Sequence, residues 1–414
     1  MRIFKGYHYI AWGLAGLFFM VHYIIRVAPQ EMIDILQQDF SMSMSHITIM
    51  QSAFFLSYIL MQVPAGILID RYPPHRVLQG AASAVLLSSL LFYVADAFWQ
   101  LLASRILLGL GSAFAFSGSV KMATLWFPRK YLGVLTSLTQ VLGMIGAASQ
   151  SLIDNLLLVV HWREAVGYFT GMVFVLWGLM FLIWREHPNA KIIEHTRSSS
   201  LKDVMSDFVE AMQNKQTWLV SLYAGFIFAP TLVFGESIGL KYVDIAMAHT
   251  SVHEGTILIS VLFAGFSMGG ILQGIVSDMI SARRPNIIVS AVGSLITFSV
   301  FLYIDASFYV YCALIFTYGL FNSGLVIGYA LAGEINPRRI SGAGIAFANM
   351  MSVLMGTFIL FVMGHVLAHF ESEGWNMVMG YESSFLILPL SLCMALFLVF
   401  FIQESHCRSV DERL

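Results

Sequence analysis

The stretch Gly66-Ile67-Leu68-Ile69-Asp70-Arg71-Tyr72-Pro73-Pro74-His75-Arg76 closes one long apolar run and precedes another. Its charges follow about twenty mostly apolar residues, the length that crosses the hydrocarbon core of a bilayer. The arrangement returns as Gly274-x-x-x-Asp278, with Arg283 and Arg284 close behind, again at the end of an apolar run. The two aspartates, 70 and 278, are 208 residues apart. A second echo sets Trp126-Phe127-Pro128-Arg129 against Ile335-Asn336-Pro337-Arg338, at a separation of 209. Two matches at nearly one offset imply two related halves. Membrane proteins built from such repeats carry their substrate site at the repeat interface, near the bilayer midplane.

Working outward, the 414 residues are 58% apolar and only 11% charged, and the mean hydropathy is +0.78. A soluble chain carries about twice that charge fraction. The spacing predicts an all-α membrane protein with 12 spans, at about 7–36, 46–69, 76–95, 98–124, 132–157, 163–184, 215–240, 256–278, 286–304, 308–333, 341–368 and 383–404. Residues 185–214 form the one long polar stretch, read as a linker with a short amphipathic helix near 201–213. The expected organisation is thus a six-helix bundle over 1–184, the linker, a second bundle over 215–404 and a tail over 405–414. The basic start Met1 to Lys5 is followed by no small-residue cleavage site, so the first run reads as an uncleaved helix.

With both termini inside, 17 of the 22 basic residues fall on the cytoplasmic side and only Arg163 and Lys241 outside. The positive-inside rule therefore orients the chain, and a bacterial inner membrane is the expected setting. A net charge of −2 gives no pull on nucleic acid. Cys312, Cys393 and Cys407 are far apart and read as free thiols. No phosphate-binding Gly-x-x-x-x-Gly-Lys loop, catalytic triad or metal motif occurs, so the reading is a transporter without cofactor or metal, not an enzyme. His365 and His369, one turn apart, lack a third ligand on their face and read as a solvated helix end.

The loop from Gly66 to Arg76 resembles the signature loop between helices 2 and 3 of the major facilitator superfamily, with Pro73 where that family usually has Gly. Arg105-x-x-x-Gly109-x-Gly111-x-Ala113 resembles the family's helix-4 motif. The resemblance implies alternating access, commonly by a monomer, powered by an ion gradient or the substrate's own. Three further stretches are similar to bacterial nutrient permeases of the sugar-phosphate-permease and phagosomal transporter type: Tyr23-Ile-Ile-Arg26-Val-Ala-Pro29, Leu125-Trp126-Phe127-Pro128 with Gly143-Met-Ile-Gly146, and Tyr223 to Pro230 followed by Glu236. Organophosphate exchangers of that group use one Arg on helix 1 and one on helix 7. Arg26 matches the first, but Leu232 and Val233 stand near the second, which argues against phosphate-ester exchange. The multidrug-antiporter motif of helix 5 needs a Pro that Gly143-Met-Ile-Gly146-Ala lacks, which argues against efflux.

Candidate residues are the charges inside spans. Arg26 costs about 2.5–3.5 kcal/mol on insertion scales. It either meets a substrate carboxylate or snorkels to headgroups, with His22 on the same face one turn back as a proton relay. Glu236, on the repeat partner of the first span, either binds an amine or takes a proton, or else sits at the outer rim. The two are expected to approach across the pseudo-two-fold. Arg105 is linked by resemblance to proton coupling, with hydrogen bonding to carbonyls as the alternative. Lys121 floors the cavity or snorkels. Tyr58, Gln140 and Asn322 are the neutral candidates for substrate contact. Gly66, Asp70, Arg71 and Arg76, with Asp278, Arg283 and Arg284, are expected by resemblance to form the cytoplasmic gate, and Glu334 to join it. The expected function is proton-coupled uptake of a small polar nutrient, an amino acid or nucleoside. Export of a metabolite or siderophore, organic anion or phosphate-ester exchange, and a ligand-binding sensor are the alternatives.

Overall fold

The computed structural model describes residues 6–127, 132–185, 201–247, 251–337 and 340–407. Among these, every regular element is helical. Eleven helices are long and apolar enough to cross a membrane, from Tyr7–Glu31 to Met377–Val399. The remaining predicted span, the fifth, is a helix in two pieces, Leu132–Ala147 and Gln150–Leu157, with a turn at Ala148 and Ser149. Neither piece reaches spanning length alone, so the architecture is compatible with twelve crossings. The first span ends at Glu31 rather than 36, and a separate short helix, Ile33–Asp39, follows it. The seventh runs to Ala246 instead of 240.

The chain divides into two compact units. One holds the residues up to Met42 with Ala53–Leu201, and the other holds Ser43–Ser52 with Lys202–Leu414. Their internal pairings correspond. In the first unit, span 1 packs on span 5, and span 3 on spans 4 and 6. In the second, span 7 packs on span 11, and span 9 on spans 10 and 12. The helix Leu201–Gln213 belongs to the second unit, where Phe208 meets Phe347 edge-on at 5.8 Å.

The repeat reaches single atoms. Span 4 is interrupted between Phe98–Ser112 and Ala115–Trp126, and span 10 between Phe308–Asn322 and Leu325–Glu334. A side chain at Gly109 would collide with the carbonyl oxygen of Phe54, and one at Gly319 with that of Leu262. The fourth helix of each unit thus presses a glycine against the backbone of the second, an approach only a small residue permits.

Candidate functional site

In the first unit the site is organised by Pro29, in the last turn of the span Tyr7–Glu31. Proline has no N–H, so the carbonyl four residues back, Ile25, loses its helical donor. Arg105 of span 4 takes its place. Its Nη1 donates to the Ile25 oxygen at 3.3 Å and its Nη2 to the Arg26 oxygen at 3.0 Å. Arg105 and His22 are each 1% exposed and Arg26 is 3% exposed. The Arg26 guanidinium lies 4.7 Å from the ring centre of Tyr23, 5.3 Å from Phe54 and 5.1 Å from Phe55, while Arg105 lies 4.9 Å from Phe54. These ring faces attract a cation, the more so when it is desolvated.

Tyr58 is half-buried with its ring 6.1 Å from Phe54, so Arg26, Tyr58 and Arg105 gather around one aromatic side chain. His22 packs on the rings of Phe19 and Tyr23. Gln140 and Lys121 are both half-buried, on the fifth and fourth spans. A small cavity of about 20 Å³ adjoins Arg105, with Pro29, Ser88 and Ser104 in its wall. The carboxylate oxygens of Glu31 are also covered, and the charge beside them is Asp154. Sequence reading missed the Phe54–Phe55 pair because rings in an apolar span look the same whether they face lipid or protein.

The second unit is organised by Pro230. Span 7 runs as an α-helix over Lys215–Pro230, as a π-helix over Thr231–Ile238 and again as an α-helix over Gly239–Ala246. The Thr231 N–H bonds the carbonyl of Phe228, three residues back, and Asn322 Nδ2 takes the carbonyl of Ile227 at 2.7 Å. The Thr231 hydroxyl donates to Asn322 Oδ1 at 2.8 Å, so in its 2.9 Å contact with Tyr318 the tyrosine hydroxyl is the donor. Every residue of the π-helix is buried, including Glu236 at 1% exposure. Among the described residues, Glu236 is the one Asp or Glu buried as a whole. Gln51 Nε2 donates to the Ser237 carbonyl at 3.1 Å, and Ser237 Oγ to that of Leu232 at 3.0 Å. Single-turn π insertions are rare and occur mostly at functional sites.

The loop after span 8 carries the predicted second-half gate residues. Arg283 bridges Asp278 and Glu334, each at 2.8 Å. Arg284 Nη2 donates to the Phe400 carbonyl at 2.9 Å. Burial alone pushes the Arg283 pKa down, but the hydrogen bond and charge of Glu334 and the hydrogen bond of Asp278 outweigh it and hold it above the ordinary value. Sequence reading missed Glu404. Its carboxylate accepts from the backbone N–H groups of Arg283 at 2.9 Å, Arg284 at 2.7 Å, Ser405 at 2.9 Å and His406 at 3.0 Å. Burial raises its pKa and those four N–H groups together overcome that, so it stays below the usual range. Ser405 Oγ closes the ring onto Glu334 at 2.6 Å. In the first-half loop, the backbone is helical through Arg71, and Pro74 opens the next helix with the exposed Arg76 in its first turn. The space around Gly66 and Gly274 is open. The side chains of Asp70 and Arg71 lie outside the described residues, as do Pro128, Arg129 and Arg338.

Two helical units with buried charges on interrupted spans define a multi-pass membrane protein of the transporter class. The Major Facilitator Superfamily model matches residues 11–248, more than half of the chain, and the chain belongs to that superfamily. It is 22% identical over 385 residues to the "Probable galactarate/D-glucarate transporter" of Pseudomonas putida, covering 82% of this chain and 81% of that one. It is 23% identical over 382 residues to the "Membrane sensor protein UhpC" of Salmonella typhimurium, covering 83% of each. Among solved structures, a bacterial homologue of the human lysosomal transporter Spinster, inward-facing and occupied, superposes with a TM-score of 0.76 at 14% identity, covering 97% of each chain.

Proposed function

We propose that this protein is a secondary transporter for a small organic anion, such as a sugar acid, taken up with a proton across a bacterial inner membrane, with both termini cytoplasmic. The observation that carries the reading is Arg26. It is buried on a span with a proline in its last turn, beside a second buried arginine, two of whose N–H groups are bonded to backbone carbonyls. An anion entering the span offsets a positive charge that is costly in a bilayer. The relative described as a galactarate and D-glucarate transporter supports this substrate class over the amino acids and nucleosides expected from sequence. Glu236, the buried acid of the second unit, carries the proton.

The test is uptake into proteoliposomes of labelled galactarate, D-glucarate, amino acids and nucleosides, with and without an inward proton gradient. Gradient-driven accumulation of a dicarboxylate is expected. Accumulation of an amino acid or nucleoside instead returns Glu236 to the role of amine ligand. Glu236→Gln is expected to abolish gradient-driven accumulation while leaving substrate–substrate counterflow. Loss of both would show that Glu236 does more than couple a proton. The second reading, a sensor that binds without moving its ligand, is favoured by the membrane sensor relative. Binding of a dicarboxylate without flux in the same vesicles would establish it.

A further inference from the structure

We propose that Asn322, with Thr231 and Tyr318, is a positioning residue that fixes the π register of the seventh span and so sets the direction in which Glu236 points. The link to Glu236 rests on the proton role given to it above; the register itself does not.

A π turn accommodates one residue more than an α turn, so each side chain beyond it stands about 100° around the axis from its α-helical direction. Glu236 is six residues beyond Pro230, inside the π segment. Poorer hydrogen-bond geometry makes such a segment revert to α unless something outside holds it. Here the holding groups come from span 10 and from span 7 itself. Asn322 takes the Ile227 carbonyl and receives the Thr231 hydroxyl, Tyr318 donates to that hydroxyl, and all of them are fully buried. Both polar ends of the Asn322 amide are therefore committed to span 7. At the far end, a side chain on Gly239 would collide with the carbonyl oxygen of Phe234, five residues back. The collision belongs to the junction where the π-helix gives way to α after Ile238, at φ −125°, and that junction exists only with the π-helix. Gly239 thus reports on the register from inside the chain.

The full-length transporter in detergent supplies the test, read as the thermal unfolding midpoint of Asn322→Ala, Gly239→Ala and the double variant. The Gly239→Ala collision exists only while the π register is held. The double variant is expected to lose less than the two single losses combined. Strict additivity overturns the proposal. If Asn322→Ala does not accumulate in the membrane, Thr231→Val removes the hydroxyl bridge at constant volume and takes its place in the cycle. In proteoliposomes, Thr231→Val is expected to lower gradient-driven accumulation about tenfold with counterflow retained, and Thr231→Ser to restore it. Full accumulation by Thr231→Val overturns the link to Glu236. If Glu236→Gln itself accumulates normally, the proton role falls, and the stability cycle still decides the register.

Discussion

Pro29 and Pro230 set the two units the same problem, and the units answer it differently. Each proline frees a carbonyl in the first helix of its unit, and each unit sends a side chain from its fourth helix to take a carbonyl three or four residues back. The first unit uses the guanidinium of Arg105, the second the neutral amide of Asn322. In the first the disturbance is confined to the last turn of the span. In the second it extends through eight π-helical residues. The difference is one of charge. Arg105 adds a second cation beside Arg26, whereas Asn322 leaves Glu236 as the buried charge of span 7. Within the spans, one unit thus holds two buried arginines and the other a buried acid, with a corresponding hydrogen-bonding device in each.

That contrast is tested hardest at Arg26. Arg26→Ala is expected to cut uptake of the organic anion about a hundredfold, the scale on which losing a buried charge partner weakens binding. Arg26→Lys keeps the charge but loses the planar fork, and should fall between. Unchanged uptake in Arg26→Ala would remove the anion-binding role proposed for Arg26. Next in size is Arg105→Gln, which keeps one amide donor and discards the charge. Gln is shorter and offers one carbonyl a donor where Arg105 serves two, so unfolding stability should drop by about 1–3 kcal/mol. Uptake should fall about tenfold as the Arg26 backbone loosens. A stability loss with normal uptake would make Arg105 a structural clip and nothing more.

The spans and the buried charges were legible in the sequence because a charge inside an apolar run has few tolerable explanations in a bilayer. Arg26, Arg105 and Glu236 stood out for that reason, and the echo at Asp70 and Asp278 gave the repeat. Asn322 was legible as a polar residue in a span but not as a clip, since its partner is a backbone carbonyl that any sequence would supply. The π-helix left no mark: Thr231–Ile238 is too short for its pattern of apolar and polar residues to separate a π turn from an α turn. Phe54 and Phe55 could not be told from lipid-facing rings, because lipid and protein interior are equally apolar. Glu404 lies beyond the last span, where nothing in the local pattern shows that a tail carboxylate returns to a helix start 120 residues earlier.

The same comparison continues, at smaller scale, in the loops that carry the echoed aspartates. After the first, the third span begins with Pro74 at its first helical position, where a missing N–H needs no partner. After the second, the N–H groups of Arg283 and Arg284 need one, and Glu404 supplies it. The second-half loop therefore draws on the tail. Glu404→Gln should lower stability by about 1 kcal/mol, the ordinary worth of a helix cap. Because the folded protein holds the Glu404 pKa below its usual value, its contribution is fully present above the unfolded pKa of about 4.3 and is lost as pH falls through the folded one. The gap in unfolding midpoint between wild type and Glu404→Gln should accordingly close below about pH 4. A gap that persists there would mean that Glu404 acts through packing rather than charge. A gap absent at neutral pH would mean that Ser405 Oγ on Glu334 holds the tail by itself, and that the two loops are more alike than their hydrogen bonds imply.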